Sequence, residues 1–103
     1  MQHRLYGLRG GAYTQEYKRL YAELAPEIKA EVLTLTTSSG SFTIYDFGRL
    51  CMKFEIPATA MDNYLNSIFS SSNDGFFWGS GTWERLRSSG VKAKDIGIEW
   101  GNR

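Results

Sequence analysis

The sequence predicts one α+β domain over residues 1–103: a small antiparallel sheet of four to five strands, with two main helices and a short third helix packed on one face. Three observations predict it. Residues 17–24 repeat apolar side chains at helical spacing, and residues 50–56 alternate apolar and polar at strand spacing. Clusters of Gly, Ser and Pro separate the two kinds of pattern.

The elements follow in chain order. Met1 to Arg9 contains His3-Arg4-Leu5-Tyr6, an initial strand broken by Gly10-Gly11. A helix spans Tyr13 to Leu24, because Tyr17, Leu20, Tyr21 and Leu24 recur at i, i+3, i+4 and i+7. Thr14 is its expected N-cap, and Glu16 suits the positive end of the helix dipole. Arg19 and Glu23 face one another one turn apart, and Pro26 ends the element. Lys29 to Thr37, rich in β-branched residues, reads as a strand, and Ser38-Ser39-Gly40-Ser41 as its turn. Phe42 to Phe47 begins the return strand, and Gly48 gives a second turn or bulge.

Leu50, Met52, Phe54 and Ile56 then alternate with Cys51, Lys53 and Glu55, the cleanest strand pattern in the chain. Pro57 closes it. A second helix runs from about Thr59 to Phe69, with Met61, Tyr64, Leu65, Ile68 and Phe69 as its apolar stripe and Thr59 and Asp62 as its cap. The polar run Ser70 to Gly75 ends that helix. Thr82 caps the short third helix, with Trp83 and Leu86 inward and Arg85 and Arg87 outward, and Gly90 stops it. Ile96, Ile98 and Trp100 form a last strand. The expected core packs Leu20, Leu24, Leu65, Ile68 and Phe69 against Leu50, Met52, Phe54 and Ile56.

Composition narrows the function. Twelve Lys and Arg against eleven Asp and Glu leave a net charge of +1, which excludes a dominant nucleic-acid polycation. A 42% hydrophobic content argues against wholesale disorder. The single cysteine, Cys51, excludes an internal disulfide and reads as a structural thiol. With one His and one Cys, almost every ordinary zinc arrangement is gone, and no metal or cofactor is expected. The absence of a long apolar run or a signal-like leader makes a cytoplasmic protein with no membrane span the expectation.

Chemical motifs are weak throughout. Asp46, Glu55 and Asp62 are explained by a turn, a solvated strand face and a cap. Ser39-Gly40-Ser41 is not a nucleophile elbow, and His3 is the only imidazole. Gly7-Leu8-Arg9-Gly10-Gly11 lacks the Lys-Ser/Thr of a phosphate loop. Gly79-Ser80-Gly81-Thr82 offers free backbone N–H groups to an anion, but ordinary helix capping after a flexible turn is the preferred reading.

The most unusual segment is Gly75 to Trp83, where Phe76, Phe77, Trp78 and Trp83 are interleaved with three glycines and fit neither period. Either its rings plug the core while the glycines let the chain turn around them, or one or two of them are candidate protein-binding anchors, with Arg85 and Arg87 orienting an acidic rim. The function expected first is therefore a small non-enzymatic protein-interaction module, an inhibitor or regulator of a larger protein or nucleoprotein complex; homodimerisation through an open sheet is also available. The alternative is a single-stranded DNA or RNA binder, with Phe77 and Trp78 stacking on bases and Arg85, Arg87, Lys92 and Lys94 on phosphates. A third reading is a small enzyme or enzyme subunit of unstated reaction, using Tyr6, Tyr45, Asp46 or Arg49 around a cleft.

Overall fold

The computed structural model describes residues 3–39, 42–70, 78–79 and 82–89. Among these the chain forms four helices and no strand: α1 (Gly10–Ser39), α2 (Ile44–Phe54), α3 (Ala58–Ile68) and α4 (Thr82–Ser89). The α+β expectation is overturned. The predicted last strand, Ile96 to Trp100, lies outside the described residues, as do Phe76, Phe77, Lys92 and Lys94.

The 30-residue α1 absorbs both the predicted first helix and the predicted strand Lys29 to Thr37. Its cause is a row at four-residue spacing, Leu20, Leu24, Ile28, Val32 and Thr36, every member of which is buried. β-branched residues disfavour a helix by only about 0.7 kcal/mol each, whereas burying one Val or Ile side chain contributes about 1.5–3 kcal/mol. Burial wins. The Thr36 hydroxyl is satisfied within the helix, donating to the Val32 carbonyl at 2.8 Å. Pro26 lies inside α1 and does not end it. Thr14 is likewise internal, its hydroxyl donating to the Gly10 carbonyl at 3.2 Å instead of capping. The expected Arg19–Glu23 pair forms at 2.6 Å.

The segment read as the return strand and the alternating strand is α2. Thr43 starts it with a capping box: its side chain accepts from the Asp46 N–H at 3.3 Å, and Asp46 Oδ2 accepts from the Thr43 N–H at 3.0 Å. Phe47, Leu50 and Phe54 are its buried face. Leu50 and Phe54 are four apart, so they satisfy a helical row as well as a β alternation; Met52 discriminates, and it is 63% exposed. At the C-terminus Glu55 takes a left-handed conformation (φ 57°, ψ 45°), and the Ile56 N–H reaches back to the Cys51 carbonyl at 3.0 Å. This closes the helix as a Schellman motif, with the buried Ile56 side chain folded beneath it.

After Glu55-Ile56-Pro57 the chain re-enters a helix at Ala58, close to the predicted start. The cap differs. Pro57 is the N-cap and makes no side-chain cap bond, while Thr59 lies within the helix. Ala60, Met61, Tyr64 and Leu65 are buried, and Ile68 is half-buried at the edge of the core.

The predicted first strand is a turn over Arg4–Gly7, with Leu5 buried and the Arg4 N–H donating to the Glu55 carbonyl at 2.7 Å. Trp78 sits at the centre of the core, its ring parallel to Phe47 at 5.5 Å and edge-on to Phe42 at 5.7 Å. α4 begins at Thr82, whose N–H and hydroxyl both donate to the Gly79 carbonyl. Trp83, one residue later, also lies parallel to Phe47, at 6.0 Å.

Candidate nucleic-acid interface

Two 11-residue helices, α2 and α3, are joined by the three residues Glu55, Ile56 and Pro57. Such a joint holds two helices in a fixed relation only if its apolar side chains point into one core. Here Leu50 and Phe54 from α2, Ile56 from the turn, and Met61, Tyr64 and Leu65 from α3 are all buried. The connectivity is that of a helix-turn-helix: a helix, a three-residue turn and a second helix.

Burying one side of α3 leaves the other outward. Thr59 and Asn63 are exposed and Asn66 is half-exposed; their i, i+4, i+7 spacing makes one row along the helix. The row is uncharged and consists of hydroxyl and amide groups, each able to donate and accept. The one charged residue of α3, Asp62, borders it and accepts from Trp78 Nε1 at 2.8 Å. Burial raises the Asp62 carboxyl above its ordinary range, the Trp78 hydrogen bond opposes that shift, and the nearby Glu84 charge adds to it.

α1 supports α3 from behind. The Tyr64 ring lies 4.9 Å from that of Tyr17 and 5.3 Å from that of Tyr21, and its hydroxyl donates to the Tyr17 carbonyl at 2.7 Å. Burial raises the pKa of both Tyr64 and Tyr17, and the Asn63 amide beside the Tyr17 phenol opposes the rise at Tyr17. One residue after Tyr17, Lys18 is exposed on α1. On the outer side of α2, Tyr45 is 75% and Met52 63% exposed, and the Arg49 side chain extends into solvent beside them.

The residues singled out from sequence fall differently. Trp78 has no exposed surface, so its ring serves the core. Trp83 is half-buried against Phe47. Arg85 and Arg87 lie on α4, two and four residues after Trp83. Of the cleft proposed for an enzyme, Asp46 and Arg49 share a shallow groove with Glu31, Leu35, Leu50 and Lys53, whereas Tyr6 and Tyr45 do not line it. Its charges are engaged with one another: Lys53 pairs with Glu31 at 3.0 Å, and Asp46, committed to the α2 cap, lies 3.8 Å from Arg49.

Cys51 is half-buried on α2, where burial pushes its thiol up to about 12, the environment of an unreactive thiol. Among the described residues no group of His, Cys, Asp and Glu side chains is arranged to hold a metal ion, and no helix is long and apolar enough to cross a membrane.

The polar row of α3 was missed in the sequence because the helix that presents it was recognised without its partner. The signal available was Thr43-x-x-Asp46 opening a helical row Phe47, Leu50, Phe54, followed within three residues by Pro57 and a second helix. No protein-family model, no curated protein and no solved structure matches the chain, so its function is argued from this helix pair.

Proposed function

We propose that the chain binds duplex DNA, with α3 entering the major groove and α2 lying across it. The observation that carries this reading is the combination of a helix-turn-helix with an outward row of Thr59, Asn63 and Asn66 on its second helix. A major groove admits an α-helix, and base edges there are read by amide and hydroxyl side chains. Exposed Lys18 on α1 is available to a phosphate, and exposed Arg49 on α2 would exchange its 3.8 Å pairing with Asp46 for one. The overall charge of +1 sets the energetic scale. With two or three phosphate contacts, log affinity should fall against log salt with a slope of about −2 to −3, shallower than for a strongly basic domain.

The test is a fluorescence-anisotropy titration of a short mixed-sequence duplex at several salt concentrations, alongside the single strand. Salt-dependent duplex binding, weakened by Lys18→Ala and Arg49→Ala, is the expected result. Binding that favours the single strand, or no binding at low salt, overturns it.

A second reading has its own observation. Tyr45 and Met52 lie one above the other, seven residues apart on the outer side of α2, and both are largely exposed. Such a pair supports docking of a protein partner, the interaction module expected from composition, with the contact moved from residues 76–83 to α2. This reading expects a defined partner that is lost with Tyr45→Ser and Met52→Ser while DNA affinity stays absent or unchanged.

A further inference from the structure

We propose that the outer face of α2 pairs with the same face of a second copy of this chain, antiparallel and about a two-fold axis. The inference rests on the protein-docking reading of α2 and names its partner; it is independent of the DNA reading. Opposite the buried Phe47, Leu50 and Phe54, helical spacing places Tyr45, Gly48, Arg49 and Met52 in one outward row. Tyr45 and Met52 are two of the three large apolar side chains left largely exposed among the described residues. They stand about 10 Å apart along the axis, so neither covers the other.

Gly48 lies between them. A glycine inside a helix destabilises it relative to alanine, so its presence asks for a reason. The fold supplies none, since the backbone at Gly48 is helical and a Cβ added there would meet nothing within 4 Å. What a missing side chain does permit at such a place is close approach from outside. The row is also arranged to fit itself. Its midpoint falls between Gly48 and Arg49, with Tyr45 and Met52 equally far on either side. An antiparallel two-fold contact through that midpoint sets Tyr45 against the partner's Met52, and Gly48 against the partner's Arg49. Charge agrees with this register. Asp46, Arg49 and Lys53 follow one side of the row. Asp46 then comes level with a point midway between the partner's Arg49 and the partner's Lys53, about 3 Å along the axis from each. A parallel contact would oppose Arg49 to Arg49 and Lys53 to Lys53. Because α2 has 11 residues, about 16 Å of helix, the seam is smaller than the roughly 800 Å² per partner of a stable complex. The dimer is therefore expected to be reversible, with Kd between about 10 μM and 1 mM.

Sedimentation equilibrium of the full chain across that range of about 10 μM to 1 mM tests this. The unaltered chain should pass reversibly from monomer to dimer, and Tyr45→Ser and Met52→Ser should each weaken the association roughly 10-fold. Gly48→Leu is the sharper probe. Its side chain meets open space in the monomer, so the thermal midpoint in dilute solution should hold or rise while the dimer is lost. Register is read by oxidising cysteine variants made in Cys51→Ala: Tyr45→Cys mixed with Met52→Cys should form a disulfide-linked pair, and neither should do so alone. A chain monomeric throughout, a dimer indifferent to Gly48→Leu, or Tyr45→Cys cross-linking to itself overturns the inference. A monomeric chain that binds a different, defined protein, and loses it in Tyr45→Ser and Met52→Ser, overturns the inference alone. A chain that binds neither overturns the docking reading as well.

Discussion

Along α1 several of the exposed charges answer one another. Arg19 lies 2.6 Å from both Glu16 and Glu23, and Glu31 takes Lys53 from α2 at 3.0 Å. Along α3 the outward residues are Thr59, Asn63 and Asn66, uncharged and rich in hydrogen-bonding capacity. Both helices bury a comparable apolar face, so the contrast is confined to what they show to solvent. Paired charges on α1 satisfy one another, while the α3 row is uncharged and, on the proposed DNA reading, would turn its amides and hydroxyls to base edges. On that proposal base contact falls to α3 and most of the support to α1, and substitutions should separate them.

The largest effect is expected where the two regions share a core. Trp78→Ala removes the ring stacked on Phe47 and the donor to Asp62, and should lower unfolding free energy by about 3–5 kcal/mol in a urea titration. A shift of the size usual for a surface residue would mean that α2 and α3 are held by α1 alone.

Alkaline pH probes the same core without mutation. Burial holds the Cys51 thiol protonated to about 12 from an ordinary 9.0, and raises Tyr17 and Tyr64 from 10.0. Above pH 9.0 the unfolded chain releases the Cys51 proton while the folded chain keeps it, so the unfolded state binds fewer protons and stability falls as pH rises toward 12. Thermal midpoints should therefore drop across this range, beginning later in Cys51→Ala, in which the tyrosines alone remain. Identical pH profiles for the two proteins would assign the thiol no part in it.

Smaller effects belong to the ends of α2. Thr43→Ala opens the capping box and should cost about 1 kcal/mol. Glu55→Gly should act in the opposite direction, stabilising by about 1 kcal/mol, because a side chain in the left-handed region carries a steric penalty that glycine lacks. Equal midpoints for Glu55→Gly and the unaltered chain would show that the Glu55 side chain offsets its own strain.

The smallest effects fall on the surfaces being compared. Thr59→Ala and Asn63→Ala should change stability by no more than about 0.5 kcal/mol while altering DNA binding. Arg19→Ala should lower helicity slightly and leave DNA binding alone. A loss of DNA affinity in Arg19→Ala equal to that in Asn63→Ala would erase the distinction between the two helices.

How much of this was legible in the sequence depended on whether a local pattern had a single solution. Tyr17, Leu20 and Leu24 admit only a helical reading, and so do Met61, Tyr64 and Leu65; both helices are present. Residues 50–56 admit two, since Leu50 and Phe54 lie on one side of either a strand or a helix, and the choice is made by burial of Phe47 and exposure of Met52. For Lys29 to Thr37, β-branching misled because the preference it expresses is small beside the burial of Ile28 and Val32. Of the aromatic segment, the irregular spacing did mark something: among the described residues Trp78 is the largest fully buried side chain. Composition could not tell an anchor for a partner from an anchor for the core. The α3 row was illegible for a related reason, since an outward amide has meaning only once α2 and the turn define which side is outward.

Pro26 divides α1 in a way that bears on how the molecule moves. Before it lie Tyr17 and Tyr21, which hold Tyr64 of α3; after it lie Glu31 and Leu35, which border α2. Proline has no N–H to return to the Ala22 carbonyl, so the ladder of α1 lacks a rung at the boundary between these two duties. Backbone amides next to that rung should exchange with deuterium faster than those around Leu20 or Val32. The long helix thus lacks one backbone hydrogen bond between the half that holds α3 and the half beside α2.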